Sequence, residues 1–267
     1  MSTLSYAVTD SATMLRRQLR HMLRYPSMTL MLAGLPIVLL LLFVYVFGGT
    51  LGAGLGGLSG GFSGDRADYV DYVTPGIMLI TVASAAQGTA ISVAMDMTEG
   101  IIARFRTMAI ARVSVLTGHV VGSMIQTMLS LAVVTAVALL IGLRPTAGVA
   151  EWMAAIGVLA MITFALTWLS VALGMVSKSV ETASNLPMPL LLLPFLGSGF
   201  VPTDSMPTGM RWFAENQPFT PIMETLRGLL TGSPIGSSGV LAVAWCVGIG
   251  LAGYLWAKRL YNRDPTP

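Results

Sequence analysis

Apolar residues run along this chain in six uninterrupted blocks, and charged residues gather in the gaps between them. Blocks free of any charge cover 29–47, 73–95, 120–143, 152–177, 182–203 and 235–257. A helix rises about 1.5 Å per residue, so about 20 mostly apolar residues cross the hydrocarbon of a bilayer. Each block meets that length, and the pattern predicts six transmembrane helices. The fifth block contains Pro187, Pro189 and Pro194. A membrane helix accepts prolines where neighbours or water satisfy the freed backbone groups. The expected fold class is therefore an all-α membrane protein forming a single domain over 1–267. Its parts are an N-terminal segment 1–28, a six-span bundle 29–257 and a tail 258–267.

Three stretches outside the blocks mix charge with apolar residues at helical spacing. In "MLRRQLRHMLR", 14–24, Leu15, Leu19, Met22 and Leu23 share one arc, and Arg16, Arg17, Arg20 and Arg24 the adjoining one. Such a helix lies in the membrane interface, its leucines in the acyl boundary and its arginines among phosphates. The plainer reading, a charged tail that orients the first span, accounts for the arginines but not the leucine spacing. In "MDMTEGIIARFRTMAIARVSVLTGHV", 95–120, Ile101, Ile102, Phe105, Met108 and Ala109 share an arc, while Glu99 and Arg106 point away from it. This helix either pads the membrane surface or docks on a soluble partner; the pattern leaves both open. The third stretch, 204–234, includes "NQPFTPIMETLRGLLTG", with proline at an expected helix start and glycine at an expected end. It fits a re-entrant or outer-surface helix, with a structured outer loop as the alternative.

Composition supports the membrane assignment: 54% of residues are hydrophobic and 10% charged, with a mean hydropathy of +0.76. Soluble domains carry about 25% charged residues. The Lys/Arg distribution orients the spans. Eleven cations (Arg16, Arg17, Arg20, Arg24, Arg104, Arg106, Arg112, Lys178, Lys258, Arg259, Arg263) fall on the side of both termini, against Arg66, Arg144, Arg211 and Arg227 on the other. The positive-inside rule places both termini, the 96–118 loop and the 178–181 loop of this multi-pass protein in the cytoplasm. No apolar stretch followed by a small-residue cleavage site opens the chain, so the first block is expected to remain as an anchor. Cys246 is the one cysteine, which excludes an intrachain disulfide.

Catalytic and metal chemistry find little support. The Gly/Ser-rich stretch 48–64, expected as an outer loop, contains "LSGG" and "GLSGG". The first echoes a nucleotide-binding signature, but the chain has no Gly-Lys pair for a phosphate loop. The second matches a nucleophile pattern, yet His21 and His119 fall on the cytoplasmic side, and a serine without a base is a poor nucleophile. No metal-ligand spacing occurs. The blocks hold no ionisable side chain of the kind ion-coupled carriers keep at membrane depth. Their polar members, Ser84, Gln87, Thr163 and Thr167, suit helix–helix packing. A transporter of this composition is expected to draw its energy from another subunit.

Two longer blocks carry a family resemblance. "EGIIARFRTMAIARVSVLTGHV" and "FLGSGFVPTDSMPTGMRWFAENQPFTPIMETLRGLLTG", with the basic N-terminal helix and six spans, resemble the membrane subunit of ABC-2 type exporters in the daunorubicin-resistance (DrrB-like) branch. Ala109 departs from the proline common there. The resemblance implies a permease without its own catalytic or nucleotide site. A separate ATPase subunit, in two copies, would bind ATP and Mg; a second membrane subunit, identical or paralogous, would complete the assembly. It implies a coupling helix contacting the ATPase through Glu99, Gly100, Arg104, Phe105 and Arg106, and export of a hydrophobic drug or lipid. Nucleic acid has no part in it. Met78, Met188, Phe195 and Phe200 are candidates for the substrate path. Rival readings are an exporter of polysaccharide or lipid-linked glycan, a membrane-embedded enzyme, and a structural or sensing subunit.

Overall fold

A computed structural model describes residues 26–56, 66–98 and 112–262. The arginines of the expected interfacial helix (Arg16, Arg17, Arg20, Arg24) and the expected ATPase contacts (Glu99, Gly100, Arg104, Phe105, Arg106) lie outside the described residues. Among those described there is no strand. The elements are α1 (Pro26–Leu41), a π-helical stretch (Leu42–Phe47), α2 (Gly48–Gly56), α3 (Arg66–Thr98), α4 (Arg112–Ile141), α5 (Val149–Val176), α6 (Val180–Asn185), α7 (Met188–Leu192), α8 (Thr208–Asn216), α9 (Phe219–Thr231) and α10 (Ser238–Tyr261). A 3₁₀ turn, Thr203–Ser205, precedes α8.

Among the described residues, five helices are long and apolar enough to cross a membrane: Leu32–Ala53, Arg66–Thr98, His119–Ile141, Val149–Val176 and Ser238–Tyr261. The fifth apolar block, 182–203, is not among them as a single helix. It breaks into α6, α7 and a run of turns. The prolines explain the break. Pro187 caps α7, Pro189 sits in its first turn, and Pro194 follows its end; each lacks the backbone N–H that a continuous helix would use. The glycine-rich stretch also differs from expectation, because Gly48–Gly56 is helical and prolongs the first span. Gly48 fits because a side chain there would press on Arg66 and Tyr69 of α3.

α3 is the central helix, buried along most of its length from Tyr69 to Ala94. At 33 residues it is about 50 Å long, well beyond the hydrocarbon thickness. α5 packs mainly on α10 and α3. Small residues let these helices approach: a side chain at Gly253 would meet the Leu169 backbone at 2.6 Å, and one at Gly174 the Ala90 carbonyl at 2.6 Å. Membrane helices have no water-driven force between them, so such close backbone packing is a main source of cohesion. The outward faces of α1, the π-helical stretch and α10 present Leu35, Val38, Val46, Val240, Val247, Leu251 and Leu255, a surface suited to lipid.

Candidate functional site

The broken fifth block creates a local problem of unsatisfied carbonyls. Irregular backbone within a membrane protein is tolerated only where its polar groups find partners in protein or water. Here α9 and Gln217, two residues before it, supply donors. Gln217 Nε2 donates to the Leu193 carbonyl at 3.0 Å. Arg227 Nη2 donates to the Ser198 carbonyl at 2.7 Å and to the Tyr72 carbonyl of α3 at 3.2 Å. The same guanidinium lies 3.8 Å from the centre of the Tyr72 ring, a cation–π contact. Arg227 thus joins α3, the 193–201 turns and α9.

Local sequence puts α9 where this can happen. Phe219, Ile222, Met223, Leu226 and Leu230 recur on one helical face, and each is essentially fully buried. Gly232 ends the helix in the left-handed conformation at φ +74°, its N–H bonded to the Gly228 carbonyl at 2.9 Å. Gly199 and Gly76 approach too closely for side chains: one at Gly76 would lie 2.9 Å from the Gly199 carbonyl oxygen. Next to this junction, α8 holds an ion triad. Arg211 pairs with Asp204 at 2.7 Å and Glu215 at 2.7 Å. Glu215, then Asp204, hold the guanidinium above its ordinary pKa.

Of the four residues named for a substrate path, two are brought together. The Phe195 and Phe200 rings stack 4.8 Å apart, and Phe43 of the π-helical stretch lies 4.4 Å from Phe200. Met78 is fully buried in a different cluster, with Phe219 and Met223, and Met188 is half exposed on α7. Among the other polar candidates, Gln87 Nε2 donates to the Ser184 carbonyl at 2.7 Å and joins α3 to α6, while Thr167 bonds within its own helix to Thr163 at 2.6 Å.

At the opposite end of the bundle α3 and α5 finish, α4 begins and α10 finishes. Val93, Val120, Trp168, Val171, Ala172, Ala257 and Tyr261 form one apolar cluster there, with Trp168 edge-on to Tyr254 at 5.0 Å. Just beyond it, His119 Nε2 of α4 lies 2.9 Å from Asp96 Oδ2 of α3. Further along the same pair of helices, Thr89 donates to Ser123 at 2.9 Å. These contacts bracket the segment 99–111. Just after α5, the Ser179 hydroxyl accepts from the Thr182 N–H at 3.2 Å, capping α6, and holds the exposed Glu181 carboxyl below its usual range.

Sequence reasoning passed over Arg227, Gln217 and the Asp96–His119 contact. A visible signal existed for two of these: Arg227 is the one cation in an otherwise apolar helical face, and Asp96 and His119 stand at the facing ends of two apolar blocks.

Comparison with known proteins places this architecture. Residues 10–231 match the model of the ABC-2 type transporter family. The chain is 26% identical over 259 residues to a daunorubicin resistance ABC transporter permease protein of Streptomyces coeruleorubidus, covering 96% of this chain and 87% of that one. It is 23% identical over 176 residues to a probable doxorubicin resistance ABC transporter permease protein of Mycobacterium tuberculosis, covering 65% of this chain and 64% of the relative. The family match spans most of the helical bundle just described, and this chain belongs to the ABC-2 type transporter family.

Proposed function

We propose that the chain is the membrane subunit of an ATP-driven exporter that moves hydrophobic drugs or lipids out across the bacterial plasma membrane. The observation that carries this reading is similarity along 96% of the chain to a permease whose name assigns it to daunorubicin resistance. A separate ATPase, in two copies, binds ATP and Mg and performs the phosphoryl transfer. Two membrane subunits, identical or paralogous, enclose the path. Both termini and the 99–111 segment face the cytoplasm, in keeping with the arginine bias. Glu99, Gly100, Arg104, Phe105 and Arg106 meet the ATPase. α8 and α9 form the outer re-entrant piece, and the partly buried Phe195, backed by the buried Phe200 on which it stacks, offers apolar surface to cargo. Met78 and Met188 are secondary candidates along the path.

ATP closes the two ATPases, and the coupling segment carries that closure into the bundle. The cavity between membrane subunits then exchanges inward or lateral access for outward access.

The test is capture and transport. The tagged chain, co-expressed with a candidate ATPase subunit, should hold that ATPase through purification and drive doxorubicin into inverted vesicles in the presence of ATP. Glu99→Arg should reduce transport about tenfold with insertion unchanged, since a reversed charge at a docking contact costs about 1–3 kcal/mol. Absence of a captured ATPase, or undiminished transport in Glu99→Arg, would count against the reading. Transport of a lipid-linked glycan in place of drug or lipid would favour the glycan-exporter alternative.

A further inference from the structure

Asp96 and His119 do not form an ordinary exposed ion pair. Their side chains are 27% and 14% exposed, and they sit against the apolar cluster that includes Val93 and Val120. Asp96 also lies in the last turn of α3, where the helix dipole disfavours a carboxylate. A partner across the hairpin offsets both costs, and His119 supplies it at 2.9 Å.

The pair also has a companion. Thr89 lies seven residues before Asp96, two turns back on the same face of α3, and Ser123 lies one turn after His119 on α4. The Thr89–Ser123 hydrogen bond of 2.9 Å therefore forms a second link along the same seam, about 10 Å from the first along α3 and about 6 Å along α4. Two separated links between antiparallel helices resist both sliding and splaying, which one alone does not. Between them Val93 and Val120 enter a cluster that also takes Trp168 of α5 and Ala257 and Tyr261 of α10.

We propose that Asp96 and His119 are positioning residues. They brace the two ends of the 99–111 segment so that a push on it moves α3 and α4 as one body, and passes through the shared cluster to α5 and α10. The proposal rests on the reading of the chain as an ATPase-driven permease, and it adds a residue pair outside the contact surface itself.

The experiment uses the full chain with its ATPase in inverted vesicles, with doxorubicin as probe, and compares breaking with conserving substitutions. Asp96→Leu and His119→Leu should each lower doxorubicin moved per ATP hydrolysed by about fivefold, within the span seen for mutations along coupling networks. ATPase capture should stay at the wild-type level. The double leucine variant should be no worse than either single one, as for residues acting through one shared contact. Asp96→Asn and His119→Gln keep a donor–acceptor pair and should stay within about twofold of wild type. Hydrogen–deuterium exchange of the full chain supplies a readout independent of transport: amides of 93–98 should exchange about tenfold faster in the leucine variants and at the wild-type rate in the conserving ones. Unchanged exchange, additive losses, or equal losses in conserving and breaking variants would each overturn the brace. Failure of the wild-type chain to capture an ATPase would instead sink the functional reading, and exchange would still judge the contact.

Discussion

Arg227 stands where three pieces of chain far apart in sequence meet, and its guanidinium is suited to that place. Its planar fork offers several donors in fixed directions, and its face stacks on an aromatic ring. The two accepting carbonyls belong to Ser198, 29 positions away, and Tyr72, 155 positions away. Removing the donor leaves both carbonyls short of a partner, at a cost of about 1–3 kcal/mol each where buried. Arg227→Met should therefore lower stability by about 3 kcal/mol, read as a lower unfolding midpoint of the detergent-purified protein. Arg227→Lys should fall between, because a point ammonium keeps a donor but loses the fork and the stack. Equal midpoints for wild type and Arg227→Met would refute the role.

Elements in this bundle are held together by close backbone approach as much as by side-chain bulk. Along α10, Gly253 presses on the Leu169 backbone, whereas a side chain at Gly248 would meet nothing within 4 Å. The two glycines should respond with opposite signs to the same substitution. Gly253→Ala forces the backbones of α10 and α5 apart and should destabilise by about 1–3 kcal/mol. Gly248→Ala should be neutral or stabilise by up to about 1 kcal/mol, since alanine is the better helix former. Thermal unfolding of the two variants side by side gives the comparison, and a destabilised Gly248→Ala would contradict this packing. The same scale shows how far local pattern reaches. The apolar blocks 73–95, 120–143, 152–177 and 235–257 correspond to α3, α4, α5 and α10, because hydropathy and span length are local properties. The block 182–203 is equally free of charge but lacks backbone donors at Pro187, Pro189 and Pro194, and a charge-free run does not count donors.

For the whole molecule, the orientation expected from the eleven-to-four distribution of Lys and Arg is open to direct measurement. Cys246 is buried, and Cys246→Ala leaves a background for single reporters. In that background, Arg144→Cys should react with a membrane-impermeant maleimide on intact cells, and Asp264→Cys only after lysis. The reverse pattern would invert the proposed direction of coupling. Among the described residues, the end of the bundle that brackets 99–111 is also where α5 and α10 finish. At the other end the Arg144 N–H donates to Asp71 at 3.0 Å and the Thr146 N–H to the Leu230 carbonyl at 3.0 Å.

Membrane residence, the approximate lengths of the long helices and a family resemblance were all legible in the residue order. Each depends on quantities that neighbours in sequence supply, namely apolar run length, charge bias and short motifs. Other features depend on residues tens of positions apart. Met78 faces one cluster while Phe195 and Phe200 stack in another. Gln217 and Arg227 satisfy the carbonyls of a broken block, and Asp96 finds His119. A hydrogen bond or a close backbone approach depends on distance in space, and only the folded bundle brings those atoms within 3 Å of one another.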